Sequence, residues 1–241
     1  RESLDCAMAL QELVNLGVEN IITFDAHDQR VQNAIPHKSF ENVMPTYQMI
    51  KAIVNNIDDL KVDKDHLMVI SPDEGAMQRC IYFATQLGVN LGMFYKRRDF
   101  TKVVDGRNPI VEHQYLGDPI NGKDIIIVDD MISSGESMLE VAKKLKGLGA
   151  NRIFVCTTFG LFANGLDVFD EAYKEGVFEK VFTTNGVYQT PELLSREWYQ
   201  SVDLSKYVAY FLDTLNHDMS VSSLLDSSDK IDSILRRKGL K

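Results

Sequence analysis

Residues 125–137 read IIIVDDMISSGES. Four β-favouring apolar residues run into Asp129 and Asp130, a turn of small residues follows, and ESMLEVAKKLKGLG (136–149) then spaces apolar side chains three and four apart. The order is strand, acid pair, small-residue loop, amphipathic helix. Two adjacent carboxylates withdrawn from water repel each other and are costly unless a cation or hydrogen-bond donors meet them. The pair therefore calls for a partner. A small-residue loop that opens a helix presents backbone N–H groups to a phosphate, and Ser134 and Ser137 add hydroxyl donors. The aspartates, in turn, accept hydrogen bonds from the vicinal hydroxyls of a sugar or meet a magnesium ion. Together these describe a site for a sugar phosphate. The plainer alternative is a strand that happens to end in Asp129, with Asp130 in the turn and Ser133 as a helix N-cap.

Working outward, short apolar runs alternate with longer amphipathic ones. Strands are expected at 19–26, 66–71, 90–95, 123–130, 151–158 and 179–185. Helices are expected over SLDCAMALQELVNLG, TYQMIKAIVNNI, AMQRCIYFATQLG, ESMLEVAKKLKGLG and LDVFDEAYKEG, several of which close on a glycine suited to a helix C-cap. Such alternation predicts an α/β fold, a parallel sheet flanked by helices. In sheets of this kind ligands gather beyond the carboxyl ends of the strands, which directs attention to AHDQR, PDEG, KRRDF, the acid-pair loop and FGLF.

Composition bounds the rest. The chain has 241 residues, of which 44% are hydrophobic, ample for a core. No apolar run approaches the roughly 18 residues that a membrane span needs, and no secretory leader is evident at RESLDCAMAL. No membrane role is expected, and the cytoplasm is the expected compartment. The net charge of −9 opposes general nucleic-acid binding but leaves room for a local phosphate pocket, with KRRDFTK (96–102) the best basic patch. Cys6, Cys80 and Cys156 lie far apart without metal-ligand spacing and read as buried thiols.

GDPINGKD (117–124) nearly matches a Walker phosphate loop. However, Asp124 replaces the required hydroxyl residue and the segment precedes a strand, so it reads as a surface turn. FDAHD ends a strand with Asp25, His27 and Asp28, and VISPDEG ends another with Asp73 and Glu74. Each alone is more often a turn or packing feature. Together, imidazole and carboxylates suit a divalent ion shared with polyphosphate oxygens.

With these motifs assembled, VISPDEG, YKRR and IIIVDDMISSGES, in this order and at these intervals, resemble the C-terminal part of the ribose-phosphate pyrophosphokinase family. FDAHDQRVQNAIP resembles its metal-histidine segment and SVSSLLD its C-terminal signature. The acid-pair loop alone would point only to the broader phosphoribosyltransferase fold. The resemblance implies transfer of the β,γ-diphosphoryl group of ATP to ribose 5-phosphate with release of AMP. It assigns magnesium to His27 and Asp73, and the transferring phosphates to Lys96 and Arg98 on a mobile loop. Asp129 and Asp130 would hold the ribose hydroxyls, with Ser133, Ser134, Gly135, Glu136 and Ser137 around the 5-phosphate. A homo-oligomer is implied as well.

This sequence departs from the family pattern at four places. Ser133 stands where many members have an acid, Glu136 where a glycine is usual, Phe159 where a histidine is expected after the fifth strand, and Ala76 where a glycine follows PDEG. Family members are also longer. Residues 1–58 are accordingly expected to be the end of an N-terminal domain lacking its first strands, residues 59–241 to form a C-terminal phosphoribosyltransferase-like domain, and this truncated chain to be inactive alone. The alternatives are a phosphoribosyltransferase that consumes phosphoribosyl pyrophosphate and a non-catalytic regulatory subunit on the same fold.

Overall fold

The structure is a computed structural model that describes residues 4–98, 101 and 110–241, the side chains of 96–98 and 110–113 excepted. The chain divides into two compact units, Arg1–Pro45 and Thr46–Lys241.

The first unit holds α1 (Asp5–Asn15), β1 (Asn20–Phe24), a 3-10 turn (Gln29–Ala34) and β2 (Ser39–Val43). β1 and β2 pair in parallel as a two-stranded sheet. Leu10 is the buried residue of α1, while Leu4, Met8 and Leu16 are exposed. Cys6 is exposed too. The expectation of three buried thiols is thus corrected: α1 buries Leu10 alone, and Cys6, one turn before it, is left uncovered.

The second unit contains α2 (Thr46–Asn56), β3 (Leu67–Ser71), α3 (Met77–Leu87), β4 (Asn90–Arg98), β5 (Ile110–Leu116), β6 (Asp124–Ile132), α4 (Glu136–Gly147) and β7 (Ile153–Gly160). It continues through α5 (Asp167–Lys174), β8 (Lys180–Thr184), α6 (Pro191–Leu194), β9 (Tyr199–Val202), α7 (Ser205–Asn216), α8 (Ser222–Leu225) and α9 (Ser228–Arg237). Among the described residues the strands form one seven-stranded sheet in the order β5-β4-β3-β6-β7-β8-β9. All neighbours are parallel except β4 and β5. The strand centres that are buried on both faces, LMVI of β3 and IIIV of β6, are continuous Ile/Val/Leu/Met runs, as a doubly covered parallel sheet requires.

Each face has its own core. Ile125, Ile127, Ile153, Val155 and Val181 point to the side covered by α4 and α5. Ile126, Val128, Phe154, Cys156 and Phe182 point to the side covered by α2, α3 and α9. The alternation of β6 and β7 between the two clusters is the period-2 geometry of a strand.

Two expected boundaries change. The division falls at Pro45/Thr46 rather than near 58, because Met49, Ile50, Ile53 and Val54 of α2 are buried in the second unit's core against β8, β9 and α9. β4 does not stop at Tyr95. It continues through Lys96 to Arg98, paired antiparallel with β5 in the register Lys96↔His113, Arg97↔Glu112.

Candidate functional site

From β3 the chain crosses to β4 on one side, and the later parallel strands add on the other, beginning with β6. The order of connection therefore reverses between β3 and β6, and this is where a crevice opens beyond the carboxyl ends of the strands. Asp73 lies in the loop that leaves β3, and the acid pair lies near the end of β6.

β6 reaches Ile132, two residues past the expected end, so Asp129 and Asp130 lie inside the strand. Asp130 is buried and Asp129 nearly so. Their cationic partner is Arg79. Its Nη1 stands 3.3 Å from Asp129 Oδ1 and 3.6 Å from Asp130 Oδ1, and its side chain is only 6% exposed. The Asp130 backbone N–H also donates to Asp129 Oδ1 at 2.9 Å. Burial first, and then the adjoining Asp130 carboxyl, raise the pKa of Asp129 to about 7; the Asp130 N–H and Arg79 oppose that rise. Carboxylates placed in this way can accept from hydroxyl donors or meet a cation. The sequence reading missed Arg79. The signal was available, since in AMQRCIYFATQL position 79 falls in register with Ala76, Cys80 and Phe83 on the buried stripe of α3. The neighbouring Cys80 Sγ donates to the Val128 carbonyl at 3.2 Å and ties this turn of α3 to β6.

Past Ile132, Ser133 and Ser134 lead to Gly135, the first flank of α4, with φ 89° and no side-chain cap on the helix. Ser133 is not the N-cap. Gly135 has no side chain to cap α4, and the first-turn N–H groups of a helix begun in this way can receive an anion. Gly135 is obligatory for two reasons: the left-handed backbone, and a side chain there would overlap the Phe169 ring. That ring is fully buried and stacked on Trp198 with centroids 5.5 Å apart, and Phe162 meets it edge-on at 5.1 Å. The loop thus rests on a rigid aromatic base. The Ser133 carbonyl accepts from Ala163 N at 2.9 Å and the Ile132 carbonyl from Leu161 N at 2.8 Å, which fix its path. Ser134 is half-buried, whereas Glu136 and Ser137 are exposed. Phe159 lies within β7, not after it.

Asp73 is half-buried; its Oδ1 accepts from Gly75 N at 3.0 Å and Ala76 N at 3.3 Å, shaping the turn into α3. Ser71 Oγ donates to the Asp73 carbonyl at 2.7 Å. In the first unit, Asp25 is buried with φ 45°, and the Ala26 N–H donates to Asn42 Oδ1 at 2.8 Å, binding the loop after β1 to β2. His27 is exposed on that loop. Asp28, exposed as well, is held at a pKa of about 2 by its hydrogen bonds with Arg30. The side chains of Lys96 and Arg98 lie outside the described residues; their backbone belongs to β4 and not to a loop. GDPINGKD is the turn between β5 and β6, and Asp124, clamped by Arg152 at 2.6 Å, marks the end of β6 opposite the acid pair.

Residues 37–196 match the model of the phosphoribosyl transferase domain, and the chain belongs to that family. Its curated relatives are named ribose-phosphate pyrophosphokinase: one from Chlorobaculum tepidum is 28% identical, covering 95% of this chain and 65% of its own, and one from Vibrio parahaemolyticus is 26% identical, covering 89% and 63%. The chain thus spans just under two thirds of the length of these relatives. Among solved structures, phosphoribosylpyrophosphate synthetase from Mycobacterium smegmatis superposes with a TM-score of 0.74 at 20% identity, over 90% of this chain and 65% of the other. That likeness concerns the fold.

Proposed function

We propose that this chain supplies the sugar-phosphate half of a ribose-phosphate pyrophosphokinase, which transfers the diphosphoryl group of ATP to ribose 5-phosphate. The observation that carries the reading is the juxtaposition at the end of β6: a helix start flanked by Gly135, with no side-chain cap, next to a buried acid pair that Arg79 faces. The relatives' names support the same reading.

In this account the loop 133–137 receives the 5-phosphate through the first-turn N–H groups of α4, while Asp129 and Asp130 accept from the ribose hydroxyls and orient the anomeric oxygen. Arg79 holds both carboxylates in place. Lys96 and Arg98 meet the diphosphoryl group, whose transfer depends on positioning and on cations near the reacting phosphorus.

Magnesium fits the donor chemistry. It prefers oxygen ligands, takes one or two carboxylates and fills its remaining positions from phosphates and water. Asp73 and the acid pair are of that kind, and among the described residues no group of three or more His, Cys, Asp or Glu forms a closed metal site. Within the second unit the reading gives the ion Asp73. When bound, magnesium would neutralise polyphosphate charge.

Calorimetry with ribose 5-phosphate, together with an assay of AMP formation from ATP and ribose 5-phosphate, tests the proposal. Binding that is lost in Asp130→Asn supports the site. Binding that survives it unchanged, or pyrophosphate release from phosphoribosyl pyrophosphate and a purine base, would favour the transferase alternative.

A further inference from the structure

A second cleft lies within the Thr46–Lys241 unit, at the β9 edge of the sheet, with β7 and β8 between it and the acid pair on β6. Residues of α2, the end of β9, α7 and α9 line it, and its volume is about 480 Å³, a size suited to a small organic ligand. The chain carries a net charge of −9, yet this cleft is lined by Lys51, Lys206 and Lys230 against one carboxylate, Asp203. Asp203 is already occupied, because its Oδ1 accepts from Asn185 Nδ2 at 3.0 Å and from Ser205 N at 2.9 Å. Among the described residues none of the three lysines is in an ion pair. The local field therefore favours an anion.

Two further features narrow the ligand. Tyr47 and Tyr210 contribute aromatic surface to the wall, and Lys206 Nζ stands 5.6 Å from the Tyr210 ring centroid, held beside it by cation–π attraction. Gln48 lines the same cleft, and among the described residues its Oε1 is the buried side-chain atom left without a hydrogen-bond partner. An acceptor sealed from water with no donor is a standing cost. The terminal amide torsion is soft, so a ligand N–H can draw this oxygen to the wall of the cleft.

We infer that the cleft binds a small aromatic anion, a planar heteroaromatic ring with an exocyclic amino group and a phosphate. The ring lies against Tyr47 and Tyr210, the amino group donates to Gln48, and the phosphate meets Lys51, Lys206 and Lys230. None of these residues belongs to the loop or the acid pair proposed for ribose 5-phosphate.

Titration calorimetry of the 241-residue chain with CMP, UMP and inorganic phosphate tests this. Where CMP presents its exocyclic amino donor UMP presents a carbonyl acceptor, which would oppose the Gln48 oxygen, so CMP should bind roughly tenfold tighter than UMP, and inorganic phosphate more weakly than either. Lys51→Ala and Lys206→Ala should each weaken CMP by about tenfold. Gln48→Leu should erase the preference for CMP over UMP while leaving the melting temperature unchanged or raised, because it removes the unsatisfied acceptor. Excess ribose 5-phosphate should leave CMP binding intact. Absence of CMP binding, equal affinity for CMP and UMP or for phosphate, indifference to the lysine variants, or displacement by ribose 5-phosphate would each overturn the assignment.

Discussion

Asp129 carries the electrostatic strain of the site. Its folded-state pKa, about 7, lies above its ordinary 3.8, so its contribution to stability is fully present below the unfolded value and is lost as pH rises through about 7. The resistance of the chain to urea should accordingly fall between pH 5 and pH 8, by something on the order of 2 kcal/mol. Asp129→Asn should flatten that slope and raise the midpoint at pH 8; a slope that persists in the variant would place its origin elsewhere. Arg79→Met removes a buried cation that faces both Asp129 and Asp130, and roughly 3–5 kcal/mol of destabilisation at pH 8 is expected in equilibrium unfolding. Gly135→Ala should cost about 1–3 kcal/mol through backbone strain and overlap with Phe169. Lys96→Ala, in a catalytically competent form, should lower kcat by roughly 10²- to 10³-fold with little change in the KM for ribose 5-phosphate, and an unaltered kcat would remove Lys96 from the reaction.

Elements with a strong period were legible before any coordinates. The helices α2, α3, α4 and α5 fall within the expected segments, since each buries a continuous stripe. The strands β3, β6, β7 and β8 are apolar runs bounded by turn residues. The missed elements have physical reasons. β9 has four residues, YQSV, two of them polar. β5, at the sheet edge, interleaves Glu, His and Gln with its apolar residues, which conceals it from a search for buried strands. α7 and α9 carry legible stripes, Tyr207–Phe211–Thr214 and Ile231–Ile234–Leu235, and went unread. At the site, the acid pair and loop were visible because their chemistry is local in sequence. The burial of Arg79 was legible in the stripe of α3, but its partners were not, because they lie 50 and 51 residues away and the parallel pairing of β3 with β6 brings α3 to them. Leu235→Ala in α9 should destabilise by about 2–5 kcal/mol, as a fully buried leucine between α2 and α3 would, and chemical denaturation would measure it.

For the molecule as a whole, the position of α2 decides what can fold alone. A fragment of residues 46–241 keeps that helix and should melt cooperatively. A fragment starting at 59 loses Met49, Ile50, Ile53 and Val54 from the core, at roughly 1.5–3 kcal/mol for each side chain, a total comparable to the net stability of a domain. Its circular dichroism should show a broad or absent thermal transition; an equally sharp melt would show that α2 is dispensable. The packing of α2 on α9 also has a temporal consequence. The two helices are separated by more than 170 residues (56 to 228), so the part of the sheet face beneath α9 stays uncovered during synthesis until nearly all of the unit has been made. Closure then requires the ends of a long loop to meet, which is slow. During that interval Phe154, Phe182 and the apolar side of α2 wait for the cover that Ile231, Ile234 and Leu235 supply.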